Sequence, residues 1–534
     1  LAFHHYFLQS MTTLFWLLLA LPALPAIAAA SQAAIEPTAP GSAAGESDVA
    51  TVDVPTMRVQ ALHLRGNSHF DSRVLLQQTG FAPDSDLDLT QLQQMAQAVE
   101  DFYHAHGYFL ARAFLPPIEE GADSVTISVL EGRYGKLTVQ NQTDLAADRL
   151  AWLLRELQAG QLAQLAPLER TLLLLGEVPG VTAKATFAAG AAQGQTELIL
   201  TLNTKAKWLG SIELDRNGSP NTGRQRWGAS LAINNLSGQG DQLGVRLLDS
   251  FRGLQNGRIA WQMPLQAVQA GLAYDVTDYS LGRDFASLGV NGTARDWNLS
   301  FSTSLYRTRQ TSLTLQWGME RKKLHDRIDS LDSVNDKATT LWNLGLNGLW
   351  QDAREDDGSS AFNLNLAKGR LYALQARETG FDGFYKFNYS LSHSFYKAFG
   401  HCNLSFLLSG QRASGSLDPS EKMTLGGASG VRAWSADEAS GDQGDLFSAE
   451  LRRDWPGMTG NWRLLAFVDI GQSGNKDSDA RLQRRLRGAG MGVHWEKPGS
   501  FSVKLEYAHK LGQDSAAGDE QRKGRIWLAG SKLF

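Results

Sequence analysis

The spacing of apolar side chains changes character along this chain. From Met57 to about Leu202 it switches between strand and helix periods. Val59–Leu64 (VQALHL) alternates apolar and polar residues, as a half-buried strand does, before a turn at Gly66–Asn67. Asp71 is placed to cap a short helix, SRVLLQQT, that stops at Gly80. Thr90 and Gln93 have the spacing of a capping box. Behind them Leu92, Met95, Ala96, Val99 and Tyr103 share one helical face, which ends at Gly107. YFLARAFL and SVTISVLEG then alternate as two strands. The β-α-α-β-β order repeats. KLTVQ is a strand, ADRLAWLLREL a helix ended by Gly160, and PLERTLLLL a helix opened by Pro167. VTAKATF and TELILTL close the repeat as strands. The pattern predicts two tandem α+β units, 57–134 and 135–204.

From about Lys205 to Phe534 the helical period disappears. Short alternating segments, separated by Gly, Asn, Asp and Ser, replace it. In FSVKLEYAHK, Phe501, Val503, Leu505 and Tyr507 point one way; Ser502, Lys504, Glu506 and Ala508 point the other. Such strands build either a soluble sandwich or a membrane barrel with a polar lumen. Lys504 and Glu506 suit a wet lumen better than a sealed core. At roughly 20 residues per strand and connection, the region 205–534 holds about sixteen strands. It ends on an aromatic residue, Phe534, as barrel strands recognised for assembly do.

Composition narrows the field. The formal net charge is −4, without the basic excess of a nucleic-acid binder. A single cysteine, Cys402, allows no internal disulfide and no cysteine metal cluster, and reads as an inert strand residue. Leu14–Ala30 is an apolar run ending in small residues, with Met11 as the natural start. Residues 1–30 are therefore expected to be a signal peptide with upstream residues, although MTT lacks the usual basic charge. Ser31–Thr56 reads as a flexible linker. Nothing later is long and apolar enough for a membrane helix.

Catalytic signals are weak. GGASGVR lacks the Gly-Lys-Ser/Thr of a phosphate loop. His104 and His106 lie two apart and so do not share a helix face, which favours a plain helix end over a metal site. ERKKLHDR (Glu320–Arg327) reads as a solvated hairpin end. No catalytic residue, metal or cofactor is expected.

One charge demands a partner. In LLAFVDIG, Leu464, Ala466, Val468 and Ile470 share an apolar face, and Phe467 and Asp469 the other. Asp469 against hydrocarbon would cost on the order of a few kcal/mol, so in a barrel it faces the lumen. Upstream, GGASGVRAWSADEASGDQG (Gly426–Gly444) carries Arg432 on a glycine-rich connection able to fold inward. Its planar fork fits a carboxylate. Any lumenal Lys or Arg would also serve, and Arg432 would equally pass as a solvated loop residue.

The chain resembles the TpsB transporters of two-partner secretion, the FhaC/ShlB type. GYFLARAFLPPIEEG and VLEGRYGKL, with Gly107, Tyr108, Pro116, Pro117, Glu131 and Gly132, are similar to their first POTRA domain. VPGVTAKATF is similar to the second. Val431, Arg432, Ala433 and Trp434 resemble the tetrad of the family's long sixth extracellular loop, and Phe467, Asp469 and Gly471 its F-x-D-x-G strand. Trp434 stands where the family usually has Tyr or Phe, and Ala433 where Gly is commoner.

The resemblance implies periplasmic α+β POTRA domains (57–134 and 135–204) before an all-β transmembrane barrel of about 16 antiparallel strands (205–534). It also implies a Gram-negative outer-membrane location and a loop that folds back so that Arg432 meets Asp469. The expected partners are a TpsA-type exoprotein, outer-membrane lipid and lipopolysaccharide, and the barrel-assembly machinery; nucleic acid is not among them. The expected function is export of the exoprotein rather than enzymatic chemistry. The alternatives are a BamA-like insertase and a passive porin. A stable plug helix is not expected in Ser31–Thr56.

Overall fold

The computed structural model describes residues 56–534 apart from 120, 353–357, 374–381, 437, 477–482 and 513–521. The expected signal peptide, and the linker with its expected lack of a plug helix up to residue 55, lie outside the described residues.

In the first α+β unit, Ser124–Leu130 is the central strand, parallel to Ala61–Arg65 and antiparallel to Arg112–Phe114. Helices Ser72–Thr79 and Leu89–Ala105 cover the sheet. Leu75, Leu92, Val99 and Tyr103 pack with Ile127 and Val129 in its cores. The Asp71 carboxylate accepts from the Arg73 N–H, and Gly80 leaves the helix at φ 65, a left-handed conformation that suits glycine. The capping box is not Thr90/Gln93. Asp88 accepts from the Gln91 N–H while the Gln91 side chain accepts from Asp88, so the helix starts two residues earlier.

The second unit repeats this sheet order, with Gln195–Thr204 between Arg133–Gln142 and Val181–Ala189. Its first helix, Ala147–Leu153, stops well before Gly160. Leu153, Leu154 and Leu157 are all buried. That spacing is one a continuous helix would also bury, but the backbone tightens instead: Arg155 N–H donates to Trp152 O (3.4 Å) and Leu157 N–H to Leu154 O (2.9 Å), turns in place of a last helical turn. Pro167 sits third in helix Leu165–Gly176 rather than first, still within the turn where its missing N–H costs nothing.

The remaining strands form a closed, antiparallel 16-strand barrel. The last strand, Gly524–Leu533, pairs with the first, Trp208–Asp215, through Ala529↔Asp215 to Leu533↔Ser211. Closure leaves no open sheet edge, which a lipid environment requires. Outward residues are apolar: Leu464, Val468 and Ile470 are 47, 41 and 45 % exposed, whereas Phe467 and Asp469 between them are buried. At one end, turns of the barrel meet the second unit. The Ala146 N–H donates to Gly238 O (2.7 Å), Arg149 donates to Gln266 O (3.2 Å), and Arg307 and Arg309 pair with Glu177 and Glu169 at 2.7 and 3.2 Å. The opposite end carries the long connection 414–442, which enters the barrel.

Candidate functional site

The lumen beside Leu465–Gly471 is a packed core, whereas Lys504, on the inner face further along the neighbouring wall, is exposed as a wet lumen requires and Glu506 between them is partly buried. Leu425, Val431, Ala433 and Trp434 of the connection bury against Leu446, Leu465, Phe467, Leu486 and Ala508 of the wall. Glycines make the contact possible. A Cβ at Gly471 would stand 2.9 Å from Val431 Cγ2, and one at Gly488 only 2.5 Å from Ala433 Cβ. The methyl of Ala433 therefore fits because the wall opposite it is bare.

At the centre of this core lies Arg432. Its Nε and Nη2 each reach an Asp469 oxygen at 2.9 Å, and its main-chain N–H adds a third bond at 3.1 Å. Nη1 donates to Glu450 (2.9 Å) and Glu506 (3.3 Å), and Nη2 also to Ser448 Oγ (3.3 Å). The guanidinium lies 3.3 Å from the Phe467 ring centroid, a close cation–π stack. Its carbonyl accepts from Trp527 Nε1 at 2.7 Å. Burial alone would lower the Arg432 pKa; the hydrogen bonds and charges of Asp469 and Glu450 reverse this and raise it. Trp434 donates its Nε1–H to Arg487 O (3.0 Å) and takes the Lys510 ammonium 4.2 Å from its ring centroid. Phe467 and Gly471 thus serve as stacking platform and clearance for the same loop that Asp469 grips.

The connection has a second anchor on another sector of the wall. Glu421, buried on the loop, accepts from Lys322 (3.0 Å) and Lys386 (2.7 Å). Asp418 pairs with Lys337 at 2.7 Å, and Lys337 also holds Asp326 at 3.0 Å. Burial raises the Asp418 pKa, but bonds from Lys337 and Ser420 outweigh it and hold the carboxyl below its usual value. Asp442, fully buried where the loop rejoins the barrel, accepts from the N–H groups of Leu417 (2.9 Å) and Lys476 (2.8 Å). Sequence reasoning missed these residues. It also misread Glu320–Arg327: the run lies on strand Thr311–Ile328, and its alternate members Lys322 and Asp326 point inward. Strand parity in that run was the signal available.

The other sequence-selected residues fall elsewhere. Glu131 accepts from the N–H groups of Ser68 (2.6 Å) and His69 (2.7 Å), the Ser68 hydroxyl, and Tyr103 Oη (3.0 Å). Burial would raise its pKa, yet these bonds hold it below the ordinary carboxylate value. Gly107 and Tyr108 join the two α+β units, through Leu165 N–H to Gly107 O (2.9 Å) and Gln164 Nε2 to Tyr108 Oη (2.6 Å). Gly132, at φ 68, leaves no room for a Cβ against Leu110. Pro116 and Pro117 lie in the loop that follows strand Arg112–Phe114. His104 and His106 each spend a ring nitrogen on a carbonyl, of Ala111 (2.9 Å) and Phe102 (2.7 Å). Cys402 begins a barrel strand, half-buried. Phe534 is exposed and exchanges main-chain bonds with Gly210 across the barrel seam.

Comparison with known proteins agrees with this architecture. The family model for haemolysin secretion/activation protein ShlB/FhaC/HecB matches residues 194–495, and that for the ShlB-type POTRA domain matches 57–132. The heme/hemopexin transporter protein HuxB of Haemophilus influenzae (strain 86-028NP) is 27 % identical over 84 % of this chain and 82 % of its own length. The outer membrane transporter CdiB of Dickeya dadantii (strain 3937) is 27 % identical over 76 % of this chain and 74 % of its own. Among solved structures, CdiB from Escherichia coli shares the fold, with a TM-score of 0.73 at 21 % identity over 92 % of this chain and 93 % of its own. BamA from Haemophilus ducreyi lacking POTRA domains 1–3 also shares it, with a TM-score of 0.55 at 16 % identity over 90 % and 100 %. With the family model covering more than half of the sequence, the chain belongs to the haemolysin secretion/activation (ShlB/FhaC/HecB) family, the outer-membrane transporters of two-partner secretion.

Proposed function

We propose that this transporter takes an unfolded TpsA-type exoprotein from the periplasm, passes it through the barrel, and performs no enzymatic chemistry. Arg432 is the tether that keeps the lumenal loop in place between transport events. The observation that carries this reading is the loop itself. A segment held through ion pairs to two sectors of the wall occupies part of the lumen, so a path widens by moving that one segment while the barrel stays closed.

Capture would use the α+β units. Arg112–Phe114 and Val181–Ala189 are edge strands with exposed Phe114 and Phe187. An extended peptide can add to such an edge through main-chain bonds that need no particular sequence. Phe534 in this reading marks the final strand for the barrel-assembly machinery. Lipid and lipopolysaccharide surround the apolar belt.

The test is secretion. The protein is expressed in an outer-membrane host with the exoprotein encoded beside it, and the medium is assayed for wild type, Arg432→Ala and empty vector. Barrel insertion is verified for each. Exoprotein released only by wild type supports exporter and tether together. Undiminished release with Arg432→Ala removes the tether and keeps the exporter. No release by a well-inserted wild type favours an insertase or a passive pore.

A further inference from the structure

The outer surface of the barrel carries an unbalanced basic stripe. On strand Thr311–Ile328, Lys322 reaches inward to Glu421, so Arg321 and Lys323 point outward, and both are exposed. Register extends the row. Trp297, Arg321, Thr340 and Arg370 stand side by side on four neighbouring strands. One step away, Trp342 stands beside Lys368, and Lys368 beside Tyr385. In the next row Arg295 stands directly opposite Lys323. Like charges in that position destabilise a sheet. Among the described residues, none of Arg295, Arg321, Lys323, Lys368 and Arg370 makes an ion pair with a carboxylate. Elsewhere on the outward surface the contrast is plain: Arg412 holds Asp445 through two bonds, of 2.7 and 2.9 Å.

The position of the stripe narrows its partner. It lies at the end of the barrel remote from the α+β units, therefore at the outer leaflet. Exposed Trp297, Trp342 and Tyr385 flank it, as interfacial aromatics do, and exposed Leu299, Leu344, Leu366 and Phe387 continue toward the membrane centre. A depression of about 400 Å³ opens beside Lys368, Arg370, Gly383 and Tyr385. Guanidinium forks match phosphate oxygens in pairs, and the apolar surface below accepts acyl chains.

We propose that this stripe binds the phosphorylated headgroup of an anionic outer-leaflet lipid, whose phosphates supply the counter-charge that no described carboxylate gives these five cations. The inference rests on the membrane location and is independent of how cargo moves.

The full-length protein in detergent micelles would be titrated with a bis-phosphorylated diglucosamine lipid and with the same lipid stripped of its phosphates, and bound lipid counted by native mass spectrometry. Wild type is expected to hold the phosphorylated lipid at least about tenfold more tightly. The variant Arg321→Gln/Lys323→Gln/Lys368→Gln/Arg370→Gln should lose that preference while keeping heat-modifiable barrel migration. Equal binding of the two lipids by wild type, which needs no variant, overturns the proposal. So does a preference that survives in the variant, or competition by inorganic phosphate at equal concentration, which marks an adventitious ion only.

Discussion

The two anchors of the lumenal loop hold opposite charges in different ways. At one, the loop supplies the cation: Arg432 sits among Asp469, Glu450 and Glu506 and stacks on Phe467. At the other, the loop supplies the anions, Asp418 and Glu421, and the wall supplies Lys322, Lys337 and Lys386. The arginine end is rigid. A planar fork fixed by bidentate bonds, a ring and an apolar collar has one geometry. The lysine end is compliant, because ammonium groups on four-carbon stems can follow a moving carboxylate. A strap with one stiff and one yielding attachment can shift from one side without losing the other.

The largest effect should come from the stiff end. Arg432→Ala strands Asp469, fully buried, with Ser448 as its remaining side-chain donor. Removing one partner of a buried pair costs about 3–5 kcal/mol. Loop protection against protease added from outside should collapse, and Arg432→Lys should fail to restore it. Full protection in the Lys variant would end the distinction between the two anchors.

Glu421→Gln should cost less, about 1–3 kcal/mol, because the amide keeps the shape and one acceptor. Limited proteolysis should then cut near residue 421 before 432. Cleavage at both ends together would mean that the anchors act as one unit.

Crowding tests the stiff end differently. Gly471→Ala should cost about 1–3 kcal/mol by pushing a methyl against Val431, and adding Val431→Ala should recover most of it. Thermal unfolding of the three variants measures this. No recovery in the double variant places the strain elsewhere.

The smallest effect is the pH response of Asp418. Its folded pKa lies below its unfolded value, so its contribution is complete above about pH 3.9 and fades as pH falls through the folded value. Proteolysis at the 418 end should rise only in that acid window, and Asp418→Asn should abolish the rise. A rise near neutral pH would implicate another group.

Much of this was legible in residues taken one strand at a time. Period two placed Asp469 and Phe467 on one face and Leu464, Val468 and Ile470 on the other, because side-chain direction in a strand depends only on local alternation. Helix Ser72–Thr79 was readable from Asp71 and Gly80 for the same local reason. The capping box slipped because Asp88-x-x-Gln91 and Thr90-x-x-Gln93 have the same spacing, and the structure makes the reciprocal bonds at the first.

The sequence by itself determined the alternation, the turn residues, and a lumenal carboxylate that needed a cation. Tertiary structure alone decided that three carboxylates share Arg432, that Gly488 clears space for Ala433, and that lysines on three strands hold Asp418 and Glu421. The reason is distance along the chain. Glu421 lies 99 residues from Lys322, and Arg432 lies 74 from Glu506. Barrel closure sets those meetings, and no local pattern records them.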